Sequence, residues 1–468
     1  MRLQHFHGAA LAALVGCLAT CLTSSASAQT PKPAPAAGSN QPRSTAAKPV
    51  KLSTLTLAQA LDAALTNDDM AVARATAAAA QADVVAADRA PFPNLSAKFG
   101  SIDLQNGVGE GNLITEKRID KGVGIDWTWE RGNKRVLRTR VAQRAASAAQ
   151  GDLEETQALQ LLAATNAYFD LAAAQERVLQ VEAMAGGTAQ LASAAARRVS
   201  AGDLARQDAL RLEIEAERAK GDVLTVALER RRAALALAMV LNLDPHDQSL
   251  VVVPKWPVPD IGAKDALANQ WANQSANDSA LRALVDARAD VRAAEDRVAA
   301  AQAAIESASA QKKADITWGV SYDHFPGTST AMVELRMQMP LQFGYKFEGE
   351  TARALAQREA AEGALDKTRR AAGLELQGLR AQLLSAVQRS QSFEQDILPR
   401  ARQVAAQAEL AYTKGALTLN DLLDARRTLR ATGLEALTAR ADYAKTATAW
   451  RLRTQPFAVL LNDLNQGN

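Results

Sequence analysis

The stretch that decides the fold is GVGIDWTWERGNKR, residues 122–135, in which a strand pattern passes directly into a helical one. Every second residue from Val123 to Trp129 is apolar, and the residues between them are small or polar. This alternation predicts a strand with one apolar and one polar face. After Gly132 the chain is rich in Ala, Leu, Glu, Gln and Arg as far as Ser200. A helix of about 65 residues would be about 100 Å long, so it needs a coiled-coil neighbour.

The same order of elements occurs twice: a helix, two strands, a very long helix, a glycine-containing turn and a further helix. The first half predicts helix 57–89, strands 94–105 and 122–130, helix 134–200 and a helix to 241. The second half predicts helix 278–312, strands 315–324 and 331–340, a helix to 414 and helix 420–453. Two residues of the first half, Gly132 and Lys134, recur in the second half as Gly344 and Lys346, each 212 residues later. Three further residues recur 213 positions later: Gly202 as Gly415, Leu204 as Leu417 and Asp208 as Asp421. We therefore interpret residues 55–250 and 263–454 as two repeats.

The segments outside the repeats are predicted as a leader, a linker and a tail. Arg2, the apolar run 9–22 and the small residues up to Ala28 are typical of a signal peptide over 1–28. An alternative is that Leu14 to Cys17 form a lipobox with Cys17 lipidated. Residues 29–54 form a flexible Pro/Ala-rich leader, 251–262 a linker and 455–468 a C-terminal tail.

The composition excludes several classes of function. Lys and Arg total 54 against 51 Asp and Glu, and this balance disfavours a nucleic-acid binder. Cys17 and Cys21 both lie in the predicted signal peptide, and only His246 and His324 follow it. Neither a Cys- or His-based metal site nor a His-dependent catalytic site is easily built from so few residues. We therefore expect no cofactor, no metal site and no enzymatic activity.

The four predicted strands have the length and alternation of transmembrane barrel strands. The aromatic residues Trp127, Trp129, Trp318 and Tyr322 suit a membrane interface. Four strands cannot close a barrel, and open strand edges are not tolerated in lipid. Two chains would supply eight strands and three would supply twelve, of which twelve gives the wider lumen. A periplasmic coiled coil that carries two edge hairpins is the alternative interpretation.

The chain from Leu57 to Arg453 resembles the TolC-like outer-membrane efflux protein family. The resemblance rests on the first helical segment 57–64, the strand-to-helix passage 129–135, the two turns 199–204 and 412–417, and the segment 420–426. It implies a mainly α protein with a small β part, in which a homotrimer forms a 12-stranded outer-membrane barrel. The barrel would continue into a long periplasmic α-helical barrel. The implied function is a passive exit duct that works with a periplasmic adaptor and an inner-membrane transporter of the RND type.

The resemblance also suggests functional residues. The periplasmic tip that meets the adaptor would contain Gly202, Asp203, Leu204, Gly415, Ala416 and Leu417. Arg402, Gln403 and Glu409 would form a tunnel constriction, although a solvated outer face explains their spacing equally well. Residues 132–135 and the Pro-rich leader are similar to the ducts of heavy-metal efflux systems. Export of drugs or other organic solutes, or type I protein secretion, is the alternative within the family.

Overall fold

The structure, a computed structural model, describes residues 54–100, 120–243, 250–258, 274–325 and 329–455. The described part is mainly helical with a small sheet component, as predicted. The predicted signal peptide, Cys17, the leader before residue 54 and the tail after residue 455 lie outside these ranges.

Nine helices and six strands are described. The helices are α1 Leu57–Ala64, α2 Asp68–Ala87, α3 Lys134–Ser200, α4 Arg206–Val240, α5 Gln274–Asp286, α6 Ala289–Ala310, α7 Glu348–Gln391, α8 Leu398–Thr413 and α9 Leu419–Thr454. A π-helical turn, Ser392–Ile397, joins α7 to α8. The strands are β1 Thr54–Leu55, β2 Asn94–Gly100, β3 Asp120–Trp129, β4 Val251–Val252, β5 Ile316–Phe325 and β6 Ser329–Gln338.

Helix α3 has 67 residues and packs along its length against α2, α4, α6 and α9. Its contact with α6 is close, because a Cβ atom at Gly151 would lie 2.9 Å from the Cβ atom of Ala293. Small side chains at such a crossing let two helix backbones approach each other. The predicted need of this helix for neighbours is therefore met within the chain.

Two predicted helices are interrupted, and this corrects the predicted helices 57–89 and 278–312. The first is divided between α1 and α2, where the side chain of Asn67 caps α2 by accepting a hydrogen bond from the backbone N–H of Met70 at 3.0 Å. The second begins earlier, at Gln274, and is divided between α5 and α6 next to Arg288. Neither break contains proline or glycine, so neither had the usual sequence signal.

The largest buried cluster surrounds a short parallel pair, β1 and β4, that the sequence did not predict. Tyr168 of α3 donates a hydrogen bond to the carbonyl of Val253 at 2.8 Å, and burial raises the pKa of this phenol to about 12. Gln175 of α3 donates to the carbonyl of Val252 at 3.0 Å and accepts from its N–H at 2.9 Å. The beginning of the predicted linker is thus held against α3 by strand-like hydrogen bonds.

A partly buried ionic network joins α3, α7, α9 and the start of α6. Arg453 contacts Glu155 and Glu375, each at 2.9 Å, and Arg288 contacts Glu375 at 2.9 Å. Burial raises the pKa of Glu155, although Arg453 opposes this rise. The network fixes how the ends of these helices meet.

Within the described ranges, no helix combines the length and apolar character needed to cross a membrane.

Candidate functional site: an amphipathic sheet and paired helix turns

The main sheet has four antiparallel strands in the order β2-β3-β5-β6. Its register pairs Ile125 with Val320 and Trp127 with Trp318. The outer edges of β2 and β6 pair with no other strand in the described part of the chain. Unpaired edges leave backbone N–H and C=O groups free to pair with another strand.

One face of this sheet is apolar and exposed across all four strands. Trp127, for example, is 60% exposed and Leu335 is 79% exposed. The other exposed apolar side chains of this face include Leu95, Phe99, Val123, Ile125, Trp129, Trp318, Val320, Tyr322, Val333 and Met337. An apolar area that extends over four strands requires a partner surface or lipid.

The opposite face is polar and internally bonded. Arg336 donates to Asp126 at 2.5 Å, and the hydroxyls of Thr128 and Thr317 are 3.0 Å apart. Asp323 is buried on this face, where Ser321 donates to it at 2.6 Å. The alternation predicted for these strands therefore separates an apolar from a charged surface.

The four aromatic residues predicted at a membrane interface all lie on the apolar face. Trp127, Trp129 and Trp318 lie at the end of the sheet that is closest to the start of α3. Tyr322 lies four residues further along β5, about 13 Å away at about 3.3 Å per residue.

The two strand-to-helix turns share a left-handed glycine but differ in their surroundings. Gly132 has φ +78° and Gly344 has φ +81°. Lys134 is buried and donates to Asp315 at 2.9 Å, and Asp315 also accepts from the N–H of Arg131 at 2.9 Å. Lys346, the residue predicted to correspond to Lys134 in the second repeat, is exposed and precedes α7, which begins at Glu348. The two lysines therefore have different roles.

The two helix turns predicted as the periplasmic tip also share a backbone conformation. Gly202 has φ +83° and Gly415 has φ +74°. Asp203 donates its N–H to the carbonyl of Arg198 at 2.9 Å, and Ala416 does the same to Ala411 at 2.8 Å. This bond from the second residue after the helix to its last turn defines the Schellman motif.

The caps after these turns differ. Asp203 does not cap the helix that follows it, because the N-cap residue of α4 is Ala205, which makes no side-chain cap bond. In the second turn, Thr418 caps α9 by accepting from the N–H of Asp421 at 3.3 Å.

The two turns lie side by side. Leu204 packs on a cluster that contains Leu212 of α4 and Leu419 of α9. Gly202, Asp203, Gly415 and Ala416 are exposed, and Leu204 and Leu417 are half-buried. The structure thus brings the six predicted tip residues to one end of the two helical hairpins.

Two of the three predicted constriction residues, Arg402 and Glu409, line a cavity of about 960 Å³ between α3, α4, α8 and α9. Glu409 accepts a hydrogen bond from Arg426 at 2.5 Å. Gln403 is exposed and lies outside the lining of this cavity.

Charged residues that no sequence motif indicated cross this cavity. Arg427 pairs with Glu215, and Arg430 pairs with Asp222 at 2.6 Å, so α9 is bridged to α4. The helical spacing of Glu215 and Asp222, seven residues apart, was the available signal. Because the charges on these helices are numerous, that spacing alone could not single them out.

No group of three or more His, Cys, Asp or Glu residues in the described ranges could hold a metal ion.

Residues 280–452 match the sequence profile of the family described as OEP, Outer membrane efflux protein. The cobalt-zinc-cadmium resistance protein CzcC of Cupriavidus metallidurans is 26% identical over 306 residues, which cover 64% of this chain and 68% of CzcC.

Solved outer-membrane channels share the fold. The channel OprN matches with a TM-score of 0.66 and 21% identity, covering 85% of this chain and 89% of OprN. CusC matches with a TM-score of 0.67 and 18% identity, covering 85% of this chain and 91% of CusC. VceC of Vibrio cholerae matches with a TM-score of 0.66 and 17% identity, covering 85% of this chain and 95% of VceC.

These findings confirm the predicted family, its efflux role and its outer-membrane location. Residues 280–452 thus match the outer membrane efflux protein family, and most of the chain has the fold of solved outer-membrane channels.

Proposed function

We propose that this protein is the exit duct of a tripartite efflux pump, in which three copies share one 12-stranded barrel in the outer membrane. The observation that carries this proposal is the four-stranded sheet with one apolar exposed face, one charged face and two open edges. The apolar face would meet lipid, and the charged face would line the lumen.

The open edges support the sharing of a barrel. In lipid, every backbone N–H and C=O group must be bonded within the protein, so an open sheet is not a stable spanning structure. The antiparallel order makes β2 and β6 run in opposite directions. Strand β6 of one copy can therefore pair with β2 of the next copy and continue the same pattern around a ring.

An internal duplication would explain why each chain supplies two similar pairs of strands to the barrel. The glycines of the strand-to-helix turns are related by an offset of 212, whereas those of the helix turns are related by an offset of 213. The N-cap residues of the two long helices, Asn133 and Phe347, are 214 residues apart, so the second turn has two more residues between its glycine and its helix than the first. Spacings that stay between 212 and 214 support an ancestral duplication followed by small changes in length.

The helices would extend the barrel into the periplasm, and the tip residues Gly202, Asp203, Leu204, Gly415, Ala416 and Leu417 would meet the adaptor. Proteins of this family work with an adaptor and an RND transporter in tripartite pumps. A Cβ atom at Gly202 or Gly415 would meet nothing within 4 Å among the described residues. The exposed glycines thus leave room for another helical hairpin.

Arg402, Gln403 and Glu409 remain the proposed constriction of the tunnel. The ion pair between Glu409 and Arg426 supports this proposal, because it fixes the position of the Glu409 side chain. In a threefold assembly the three copies of Glu409 would then form a ring.

We propose heavy-metal cations as the exported substrate, because CzcC is named for cobalt, zinc and cadmium resistance. The transporter would supply selection and energy. The relatives are efflux channels rather than enzymes, and we expect no catalysis by this chain. Duct activity for organic solutes is the alternative.

The assembly is tested by native mass spectrometry of the detergent-extracted outer-membrane fraction. A trimer supports the proposal, and a soluble monomer or dimer contradicts it.

The barrel is tested by disulfide cross-linking, since Cys17 and Cys21 are the only native cysteines. Leu95→Cys on β2 is combined with Val333→Cys, Leu335→Cys or Met337→Cys on β6. At least one pair should give linked dimers and trimers on non-reducing gels, while the single variants stay unlinked. Absence of linkage for all pairs in a purified trimer would rule out β2–β6 pairing.

The substrate is tested by expressing the chain with its adaptor and transporter in cells that lack their own duct. Restored growth on cobalt, zinc or cadmium salts supports metal export. Restored growth on organic dyes alone supports the alternative.

The adaptor contact is tested at Gly415. Gly415→Val should strain the turn and impair export while the trimer persists. Gly415→Asn is the informative companion, because asparagine tolerates the left-handed conformation but still adds a side chain. Normal export by both variants would contradict the proposed contact.

A further inference from the structure

We propose that the junction between the main sheet and the helices binds anionic phospholipid, through five basic residues that lie next to exposed apolar side chains. The five residues, named the basic belt, are Arg89, Arg131, Lys312, Lys313 and Lys346. This inference rests on the barrel proposed above, because that barrel places the junction at the periplasmic surface of the outer membrane. It adds a lipid headgroup as a partner of this chain.

All four connections between a strand of the main sheet and a helix carry a member of the basic belt. Arg89 lies between α2 and β2, and Arg131 lies between β3 and α3. Lys312 and Lys313 lie between α6 and β5, and Lys346 lies between β6 and α7. The antiparallel order of the strands brings the four connections to one end of the sheet. Repeated in three copies, the connections would surround the barrel.

The members of the basic belt form no ion pair with other described residues. Four of them are exposed and Arg131 is half-buried. The Nη1 atom of Arg131 lies 3.7 Å from the Sδ atom of Met339. Because Met339 continues the alternation of the apolar face of β6, this contact places the guanidinium group on the side of the sheet that is proposed to meet lipid.

The acidic residues at this end of the sheet leave the junction with an excess of positive charge. Three of them are held by basic residues of α3: Asp88 by Arg135 at 3.0 Å, Glu130 by Arg138 at 2.9 Å and Asp315 by Lys134 at 2.9 Å. Two more lie at the start of α7 and accept hydrogen bonds: Glu350 from the hydroxyl of Tyr345 at 2.6 Å and Glu348 from the N–H of Lys346 at 3.3 Å. The five residues of the belt therefore face two acidic residues without a basic partner in the described ranges, a balance that favours an anionic ligand.

Exposed apolar side chains lie between the members of the belt. Phe92, three residues after Arg89, is 73% exposed. Phe343, three residues before Lys346, is 85% exposed, and Leu341 is 65% exposed. A free phosphate would use only the cations, whereas a phospholipid uses both the cations and the apolar side chains. Lysine and arginine suit this role because their stems lie on apolar surface while their charges reach the headgroups.

The depth of the belt agrees with that of the headgroup layer. Trp127 and Trp129 mark the end of the apolar face that is nearest to the helices. Arg131 follows Trp129 by two residues, which is about 7 Å at about 3.3 Å per residue. The headgroup layer is about 5–8 Å thick on each side of the hydrocarbon core. With the tryptophans at the edge of the core, the belt lies at the level of the lipid phosphates.

The proposal is tested on the detergent-extracted trimer with two lipids that share their acyl chains, phosphatidylglycerol and phosphatidylcholine. Titration followed by native mass spectrometry measures the affinity for each lipid. We expect phosphatidylglycerol to bind about tenfold more tightly or better, because each nearby basic residue contributes about fivefold in affinity for an anionic headgroup. Equal affinities in a purified trimer would overturn the lipid site and leave the barrel standing. If no trimer can be extracted, the barrel itself is contradicted.

The residues are tested by the triple variant Arg131→Gln, Lys312→Gln and Lys346→Gln. Its affinity for phosphatidylglycerol should fall roughly 100-fold, while its affinity for phosphatidylcholine stays unchanged. The matched control removes three exposed basic residues from the opposite end of the long helices: Arg198→Gln, Arg206→Gln and Lys414→Gln. Equal losses in the two triple variants would show that net charge rather than the belt attracts the lipid, and would overturn the proposal.

A separate measurement distinguishes a lipid-facing belt from one that faces the lumen. Charges that line the lumen would set the ion selectivity of the channel, since fixed charges raise the local concentration of counter-ions. We expect the reversal potential across phosphatidylcholine bilayers under a KCl gradient to be the same for the wild type and the belt variant. A changed reversal potential together with unchanged lipid binding would overturn the proposal.

The apolar part of the site is tested by Phe343→Ser. This change should weaken the binding of both lipids by about tenfold, because it removes an apolar contact that does not depend on headgroup charge. Leu224→Ser removes a side chain of α4 that is 74% exposed and serves as the control, with no expected change. Unchanged binding of both lipids by Phe343→Ser would contradict the proposed contact with the acyl chains.

Discussion

The first strand-to-helix turn is packed against other residues of the chain, whereas the second turn has no neighbouring residues around its glycine in the described part of the chain. Gly132 and Gly151 are covered by residues from the end and the start of the α6 region. Gly344 has no such cover among the described residues, although it has nearly the same φ as Gly132. The difference shows that the backbone conformation of a duplicated turn can persist while its packing within the chain is lost.

The largest effect that would sharpen this comparison is expected at Gly151. Gly151→Leu forces a side chain into the α3–α6 contact, and overpacking of this kind destabilises by about 1–3 kcal/mol or more. We expect loss of folded subunit and a lower Tm by circular dichroism. Gly186→Leu, on the same helix with nothing within 4 Å in the described part, should cost little. A comparable loss at Gly186 would mean that helix α3 tolerates no large side chain, rather than that Gly151 marks a contact.

The second effect concerns the two lysines. Lys134→Met removes a buried ammonium group and leaves Asp315 with only the N–H of Arg131, among the partners seen in the described ranges. Loss of one partner of a fully buried pair costs about 3–5 kcal/mol, and because Asp315 is partly exposed we expect about 2 kcal/mol. Lys346→Met, at the exposed equivalent position in the second repeat, should change stability by less than about 0.5 kcal/mol. Thermal unfolding in detergent measures both, and equal shifts would refute the difference between the two turns.

The third effect compares the helix caps at the tip. Thr418→Ala removes the cap of α9 and should cost about 1 kcal/mol. Ala205→Thr supplies a cap that α4 lacks at a residue already in the extended conformation, and should add a stabilisation of up to about 1 kcal/mol. Hydrogen exchange in the first turns of α4 and α9 reports the two changes separately. Faster exchange in α4 of Ala205→Thr would contradict this prediction.

The smallest effect is expected where the two hairpins meet. Asp222→Asn breaks the pair with Arg430 across the cavity. Partly exposed pairs contribute about 0.2–1 kcal/mol, and salt screens them. Glu217→Gln, which breaks an exposed pair with Lys220 within α4, serves as the control. We expect only Asp222→Asn to speed proteolysis at the tip, with the difference disappearing in high salt.

Strand positions and long helices were predictable because they depend on local periodicity. The predicted strand 122–130 is observed as Asp120–Trp129, and the predicted helix 134–200 is observed as Lys134–Ser200. The helix turns at Gly202 and Gly415 were predictable because glycine readily adopts the left-handed conformation that ends a helix.

The remaining features have weak local signals. Strands β1 and β4 have two residues each, which is too short for any periodicity. The breaks before α2 and α6 are set by Asn67 and by the ion pairs of Arg288, and both depend on contacts with distant residues. The π-helical turn Ser392–Ile397 has a local signal only in Pro399, which follows it and has no backbone N–H to donate.

The candidate site was predicted unevenly for the same reason. The exposed face that carries Trp127 and Trp318 followed from alternation. The pairs between Arg427 and Glu215 and between Arg430 and Asp222 join residues that are far apart in the sequence. Whether such charges meet depends on how α4 and α9 are rotated toward each other.

The sequence by itself determined the kind and order of the elements, the two faces of the strands and the glycine turns, because these depend on side-chain period and backbone sterics over a few residues. Only the tertiary structure decided which of two equivalent contacts is filled within the chain, where the long helices break and which charges pair. These features depend on the distance and rotation of elements far apart in sequence, which no local pattern encodes.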